Sequence, residues 1–232
     1  MEKLILALDV ANAESAKKII DELDEQVQFY KLGLELMMSG QYFEIVKFLK
    51  SKNKKMFADL TLYDISQTMV RAVENLQKYQ IDLLTIHTAS NDIMRSVARC
   101  KGEIKVVAVT VLTNLDNNDL VQMGFDSKFS LEELVKNKTQ MALESGLDGV
   151  VASANEAKTL RQNFGNDFLI VTPGIRLQQI ANDDQKRTAS VAQAIKNGAS
   201  HLVVGRPILQ QQDIKASAKQ FINAINEASR NS

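Results

Sequence analysis

Carboxylates, a lysine and two arginines recur in this chain where short apolar runs end. LALDV ends in Asp9, FYKLGLE carries Lys31, and ADLTLYDI holds Asp59, Thr61 and Asp64. Farther on, one run ends in Thr113, another passes into Pro173, Gly174 and Arg176 of TPGIR, and the last into Gly205 and Arg206 of VVGRPI. Two carboxylates and a lysine gathered in one pocket are costly unless paired, and such clusters serve chemistry more often than stability. The alternative is a structural ion-pair layer made by Asp9, Lys31 and Asp59. Gly174 and Gly205 would let backbone N–H groups approach an anion, with Arg176 and Arg206 supplying charge-assisted hydrogen bonds. The polar stretch RLQQIANDDQKR, which contains Gln185, is long for a loop. Taken alone it reads first as a solvated surface loop, with a lid as the functional alternative.

These side chains need a scaffold that brings distant segments to one place. Short apolar, β-branched runs alternate with segments of helical spacing. The predicted strands are Leu4–Val10, Phe29–Leu32, Lys55–Leu60, Leu83–Thr88, Lys105–Leu112, Gly149–Ala152, Leu169–Thr172 and Leu202–Val204. The predicted helices are Ala13–Leu23, Tyr42–Ser51, Ile65–Tyr79, Asn91–Arg99, Leu131–Ser145, Ala154–Phe164, Ser190–Asn197 and Ile214–Ala228. In the third of these, Ile65, Met69, Val73 and Leu76 share one face. Gly146 and Gly198 each follow a helix and precede a strand, where a left-handed cap is expected. Strands as apolar as VVAVTVL are buried on both faces, which points to a parallel sheet covered by helices. Eight such units favour a closed α/β (β/α)8 TIM barrel, one domain over residues 1–232, above an open doubly wound sheet. No glycine follows the first strand in LALDVANAES, so a dinucleotide fold is poorly supported. In a TIM barrel the active site lies at the C-terminal ends of the strands, with phosphate held after the seventh and eighth.

Composition narrows the classes further. With 28 basic and 28 acidic residues, there is no overall basic field to attract nucleic acid or an anionic membrane. The N-terminus lacks the long apolar core of a secretion signal, and no apolar stretch approaches a membrane span of roughly 20 residues. A lone cysteine, Cys100, cannot form an intramolecular disulfide, which fits a reducing, cytoplasmic setting. Two histidines make a His-rich metal site implausible. His87 reads as a pocket-wall residue or an acid–base group, and His201 as a surface residue. Cys100 reads as inert, and LELMMSG as packing against the barrel or a dimer interface.

In order and spacing, LALDV, FYKLGLE, FADLTLYDI, TVLTN, VTPGIR, DDQKR and VVGRPI resemble the orotidine 5′-phosphate decarboxylase family over nearly the whole chain. The resemblance implies conversion of orotidine 5′-monophosphate to UMP and CO2, the last step of de novo pyrimidine synthesis. It implies no metal and no organic cofactor, and a homodimer with shared active sites. By the same resemblance Asp9 and Lys31 bind the ribose, Lys31 also joining a charge network, and Asp59 stands beside the substrate carboxylate. Asp64 enters the partner's site with Ile65 and Thr68 beside it, and Thr113 faces the pyrimidine. Pro173, Arg176, Gln185, Gly205 and Arg206 belong to the substrate- and phosphate-binding set. The family pattern Asp-x-Lys-x-x-Asp here reads Asp59-Leu60-Thr61-Leu62-Tyr63-Asp64, so Thr61 stands in the catalytic set where the family has a proton-donating lysine. A threonine hydroxyl is short, uncharged and a poor acid, and cannot stabilise a developing carbanion as an ammonium does. The chain is therefore expected to be a decarboxylase strongly impaired at one residue. The alternatives are a non-catalytic uridine-nucleotide-binding barrel and a Mg²⁺-dependent sugar-phosphate relative, the latter disfavoured by the DDQKR lid.

Overall fold

The computed structural model describes residues 3–126, 128–177 and 188–231. Its strands are β1 (Leu4–Ala7), β2 (Phe29–Leu32), β3 (Lys55–Leu62), β4 (Leu83–His87), β5 (Lys105–Val109), β6 (Gly149–Val151), β7 (Leu169–Thr172), β8 (Ile175–Arg176), β9 (Ala189–Ser190) and β10 (His201–Val204). All but β8 and β9 pair in parallel and close into a barrel in the order β1-β10-β7-β6-β5-β4-β3-β2. The apolar runs end up covered on both sides, as their composition requires.

The pleat explains why the charged residues share one interior. Side chains alternate across a strand, so one parity faces inward. The apolar residues packed inside the barrel, Ile5, Ala7, Phe29, Phe57, Leu83, Val107, Val151, Leu169, Val171 and Val203, all carry odd numbers. Registers such as Lys31↔Phe57, Phe57↔Leu83 and Thr85↔Val107 carry that parity from strand to strand. Asp9, Lys31 and Asp59 continue the same inward face toward the C-terminal mouth.

The helices are α1 (Ala13–Glu22), α2 (Leu34–Met38), α3 (Tyr42–Ser51), α4 (Ser66–Gln77), α5 (Asn91–Cys100), α6 (Asn117–Gln122), α7 (Leu131–Glu144), α8 (Ala154–Phe164), α9 (Val191–Lys196), α10 (Arg206–Leu209) and α11 (Ile214–Arg230). Their starts follow side-chain chemistry: Ser130 and Ser153 each close a reciprocal capping box with the glutamate three residues on. Gly146 and Gly198 have φ of 83° and 92°, the left-handed caps expected.

Several expectations need correction. The first and fifth strands stop at Ala7 and Val109 instead of Val10 and Leu112; one further backbone bond each, from Leu8 N–H to the Lys31 carbonyl and from Thr110 N–H to the Val151 carbonyl, follows before the chain becomes irregular. Ile65 is not on the buried face of α4; it caps the helix and is 69% exposed, while Met69, Val73 and Leu76 are buried. His201 is no surface residue. It lies within β10, buried, with its ring edge-on to Phe29 at 5.6 Å between centroids. Cys100 is the last residue of α5, and burial pushes its thiol pKa up, consistent with an inert thiol. No described helix is long and apolar enough to cross a membrane.

Candidate active site

At the C-terminal mouth, Lys31 Nζ lies 2.9 Å from Asp9 Oδ1 and 3.2 Å from Asp59 Oδ2. One ammonium on β2 thus holds two carboxylates, Asp9 just past β1 and Asp59 within β3, the strands on either side of it. Burial works against the charged form of Lys31, but Asp59 and Asp9 outweigh it and hold its pKa above the ordinary lysine value. Gly33 leaves room for this pairing. A methyl group there would sit 3.1 Å from Lys31 Nζ and 3.4 Å from Asp9 Oδ1.

The three residues line a pocket of about 210 Å3 together with Pro173, Gly174, Arg176, Gly205 and Arg206. Its floor is the apolar barrel interior, including Ala7, Phe57, Val171 and Val203. Arg176 is buried and donates from Nη1 to the Ile175 carbonyl at 3.0 Å. Gly174 has φ of 76°, a left-handed turn that suits glycine. It swings the chain from β7 into the small parallel ribbon of β8 and β9, paired Ile175↔Ala189 and Arg176↔Ser190. Leu177 and Thr188, the residues flanking 178–187, directly follow β8 and directly precede β9 of that ribbon. The sequence held no clear signal for it, since two-residue strands show no periodicity. Gln185 and the rest of DDQKR lie outside the described residues.

The far end of β3 is irregular. Its register with β4 shifts between Ala58 and Leu62, and within the shift Thr61 adopts a φ of 45°. A β-branched residue in the left-handed region is a genuine backbone outlier. The Thr61 N–H donates to Thr85 Oγ1 at 2.9 Å, and that hydroxyl donates to Asp59 Oδ1 at 2.9 Å. Thr85 is fully buried and was missed in the sequence. Its inward parity, two residues before His87, is the signal that could have found it.

The other candidates stand apart from this pocket. Asp64 is exposed and accepts the Ile65 N–H at 2.7 Å, between exposed Tyr63 and Ile65. Thr68 is exposed in the first turn of α4. Thr113 is half-buried in the turn after β5. His87 packs edge-on to Tyr63 at 5.6 Å. Burial, with Lys138 adding, lowers its pKa and favours the neutral ring. Among the described residues no three His, Cys, Asp or Glu side chains form a metal-binding group.

A pocket that gathers an Asp–Lys–Asp cluster with Arg176 and Arg206, at the mouth of a parallel barrel, limits the possible relatives. Residues 2–221 match the sequence profile of the Orotidine 5'-phosphate decarboxylase / HUMPS family. The chain belongs to this family. Orotidine 5'-phosphate decarboxylase of Methylococcus capsulatus is 43% identical over 220 residues, covering 94% of this chain and 90% of that protein. The same enzyme of Nitrobacter winogradskyi is 42% identical over 230 residues, covering 99% and 95%. The crystal structure of orotidine 5'-phosphate decarboxylase from Lactobacillus acidophilus matches with a TM-score of 0.84 at 32% identity, over 97% of this chain and 100% of that one. An uncharacterized conserved protein from Geobacillus kaustophilus matches with a TM-score of 0.82 at 28% identity, over 96% and 100%. In the orotidine 5'-phosphate decarboxylase / HUMPS family, then, this barrel presents a paired Asp9–Lys31–Asp59 cluster with a threonine at position 61.

Proposed function

We propose that this chain binds orotidine 5′-monophosphate and UMP and is an orotidine 5′-phosphate decarboxylase, a carboxy-lyase of pyrimidine synthesis, strongly slowed by Thr61. The observation that carries this is the Asp9–Lys31–Asp59 cluster sharing one pocket with Arg176, Gly205 and Arg206, in a chain of this family. The phosphate goes to Gly205 and Arg206, with Arg176, Pro173 and the Gln185 segment beside it. Asp9 and Lys31 orient the ribose, Thr113 faces the pyrimidine, and Asp59 stands against the substrate carboxylate. Binding energy from the phosphate, remote from the reacting carbon, then holds the substrate against Asp59.

Loss of CO2 leaves an electron pair on C6 of the pyrimidine, which a positioned ammonium would stabilise and protonate. Thr61 supplies no such charge, and this supports the impaired reading. The reaction as proposed uses no metal and no organic cofactor. We further propose one domain over residues 1–232, working in the cytoplasm as a homodimer in which Asp64, Ile65 and Thr68 reach the partner's site. Exposed Tyr63 and Ile65, each 69% exposed on either side of Asp64, favour a covering partner for that rim.

A second reading, a uridine-nucleotide-binding barrel without catalysis, is favoured by Thr61 alone. Loss of orotidine 5′-monophosphate absorbance separates the two, measured for this chain and for Thr61→Lys. The lysine form is expected to turn over at least about a thousandfold faster. Tight UMP binding with no turnover by either protein would establish the binding-only reading instead.

A further inference from the structure

Asp59 and residue 61 both lie within the register shift of β3, and one side chain touches both. Thr85 Oγ1 accepts the backbone N–H of Thr61 at 2.9 Å and donates its single proton to Asp59 Oδ1 at 2.9 Å. The hydroxyl sits in an apolar setting: Thr85 is fully buried, registered beside Val107, with Leu83 below it on the same face. A hydroxyl there is costly unless it is used, and both of its capacities, donor and acceptor, are used on the one strand that carries Asp59 and Thr61. The kinked strand breaks its register with β4 at this point, so the Thr85 side chain takes over a link that the regular ladder no longer makes.

We infer that Thr85 is a positioning residue, whose hydroxyl fixes the Asp59 carboxylate and the left-handed backbone of residue 61 relative to each other. It thereby sets where any side chain at position 61 stands with respect to Asp59. The structural part stands on its own; the kinetic part rests on the decarboxylase reading above.

The test uses Thr85→Val, which keeps the shape and removes the hydroxyl, and Thr85→Ser, which keeps the hydroxyl. Hydrogen exchange of the residue 61 amide, followed by NMR in the full chain, is expected to speed about tenfold or more in Thr85→Val and to stay within about threefold in Thr85→Ser. In a Thr61→Lys background, Thr85→Val is expected to lower kcat about 10–100-fold, with KM for orotidine 5′-monophosphate moving less than about threefold. Thr85→Ser should restore most of that kcat. Unchanged amide exchange, unchanged kcat in an active Thr61→Lys parent, or identical behaviour of the valine and serine forms would each overturn the inference. If Thr61→Lys turns over no substrate, the decarboxylase reading fails and the amide exchange still decides the role of Thr85. Thr85→Ala supplies the same comparison should the valine form not fold.

Discussion

Lys31 Nζ sits 3.2 Å from Asp59 Oδ2 while also 2.9 Å from Asp9 Oδ1, so one largely buried ammonium is the shared counter-charge of two carboxylates. Removing it leaves both without that compensation. Lys31→Met is expected to cost about 2 kcal/mol of stability and to weaken UMP binding at least about tenfold. Urea unfolding and calorimetric titration measure the two effects. Retention of both stability and UMP affinity would show that the cluster is neither a structural nor a binding element.

Thr61 carries its β-branched side chain at a φ of 45°, a conformation that costs on the order of 1–3 kcal/mol. Asparagine tolerates the left-handed region better and has no branch at Cβ. Thr61→Asn is therefore expected to stabilise the protein by about 1 kcal/mol, raising Tm by about 2–4 °C. Scanning calorimetry checks this, and an unchanged or lower Tm would mean that the threonine is not strained there.

At the opposite end of the barrel, Asp148 meets Lys101 at 2.7 Å and Lys105 at 3.1 Å and accepts the Val106 N–H at 2.9 Å. Burial opposes its ionisation, but Lys101, the Val106 N–H and Lys105 overcome that and hold its carboxyl below the usual range. A group with a depressed folded pKa contributes stability above its unfolded pKa and loses it as pH falls through the folded value. The contribution should thus be present at neutral pH and fade below about pH 4. Asp148→Asn is expected to cost about 1 kcal/mol at pH 7 and nearly nothing at pH 2–3. Denaturant titrations at the two pH values give that difference directly; an equal loss at both would assign the effect to packing.

Much of the fold was written in local patterns. The eight apolar runs could satisfy their burial only inside a covered parallel sheet, and each became a barrel strand. The long helices were legible for the same reason, since their apolar spacing and caps are properties of contiguous residues. Short elements were not. The helices α2, α6 and α10 and the ribbon of β8 and β9 are too brief to show a period, and they form where the closed barrel gives their ends something to pack on. His201 was misread because its position before an apolar run gave no hint that the strand begins at the histidine itself.

By itself the sequence determined the family and the barrel and named the polar residues of the candidate site, because order, spacing and residue type survive in one dimension. Asp9, Lys31, Asp59, Arg176, Gly205 and Arg206 could all be named from strand ends. Tertiary structure alone decided how those groups are paired. Lys31 bridges two carboxylates rather than one, and Thr61 sits at a register shift in the left-handed region. Thr85, 24 residues away, supplies the hydroxyl that ties Thr61 to Asp59. Parity along a strand is local, but register between strands is fixed only when the barrel closes, and hydrogen bonds across it depend on that register.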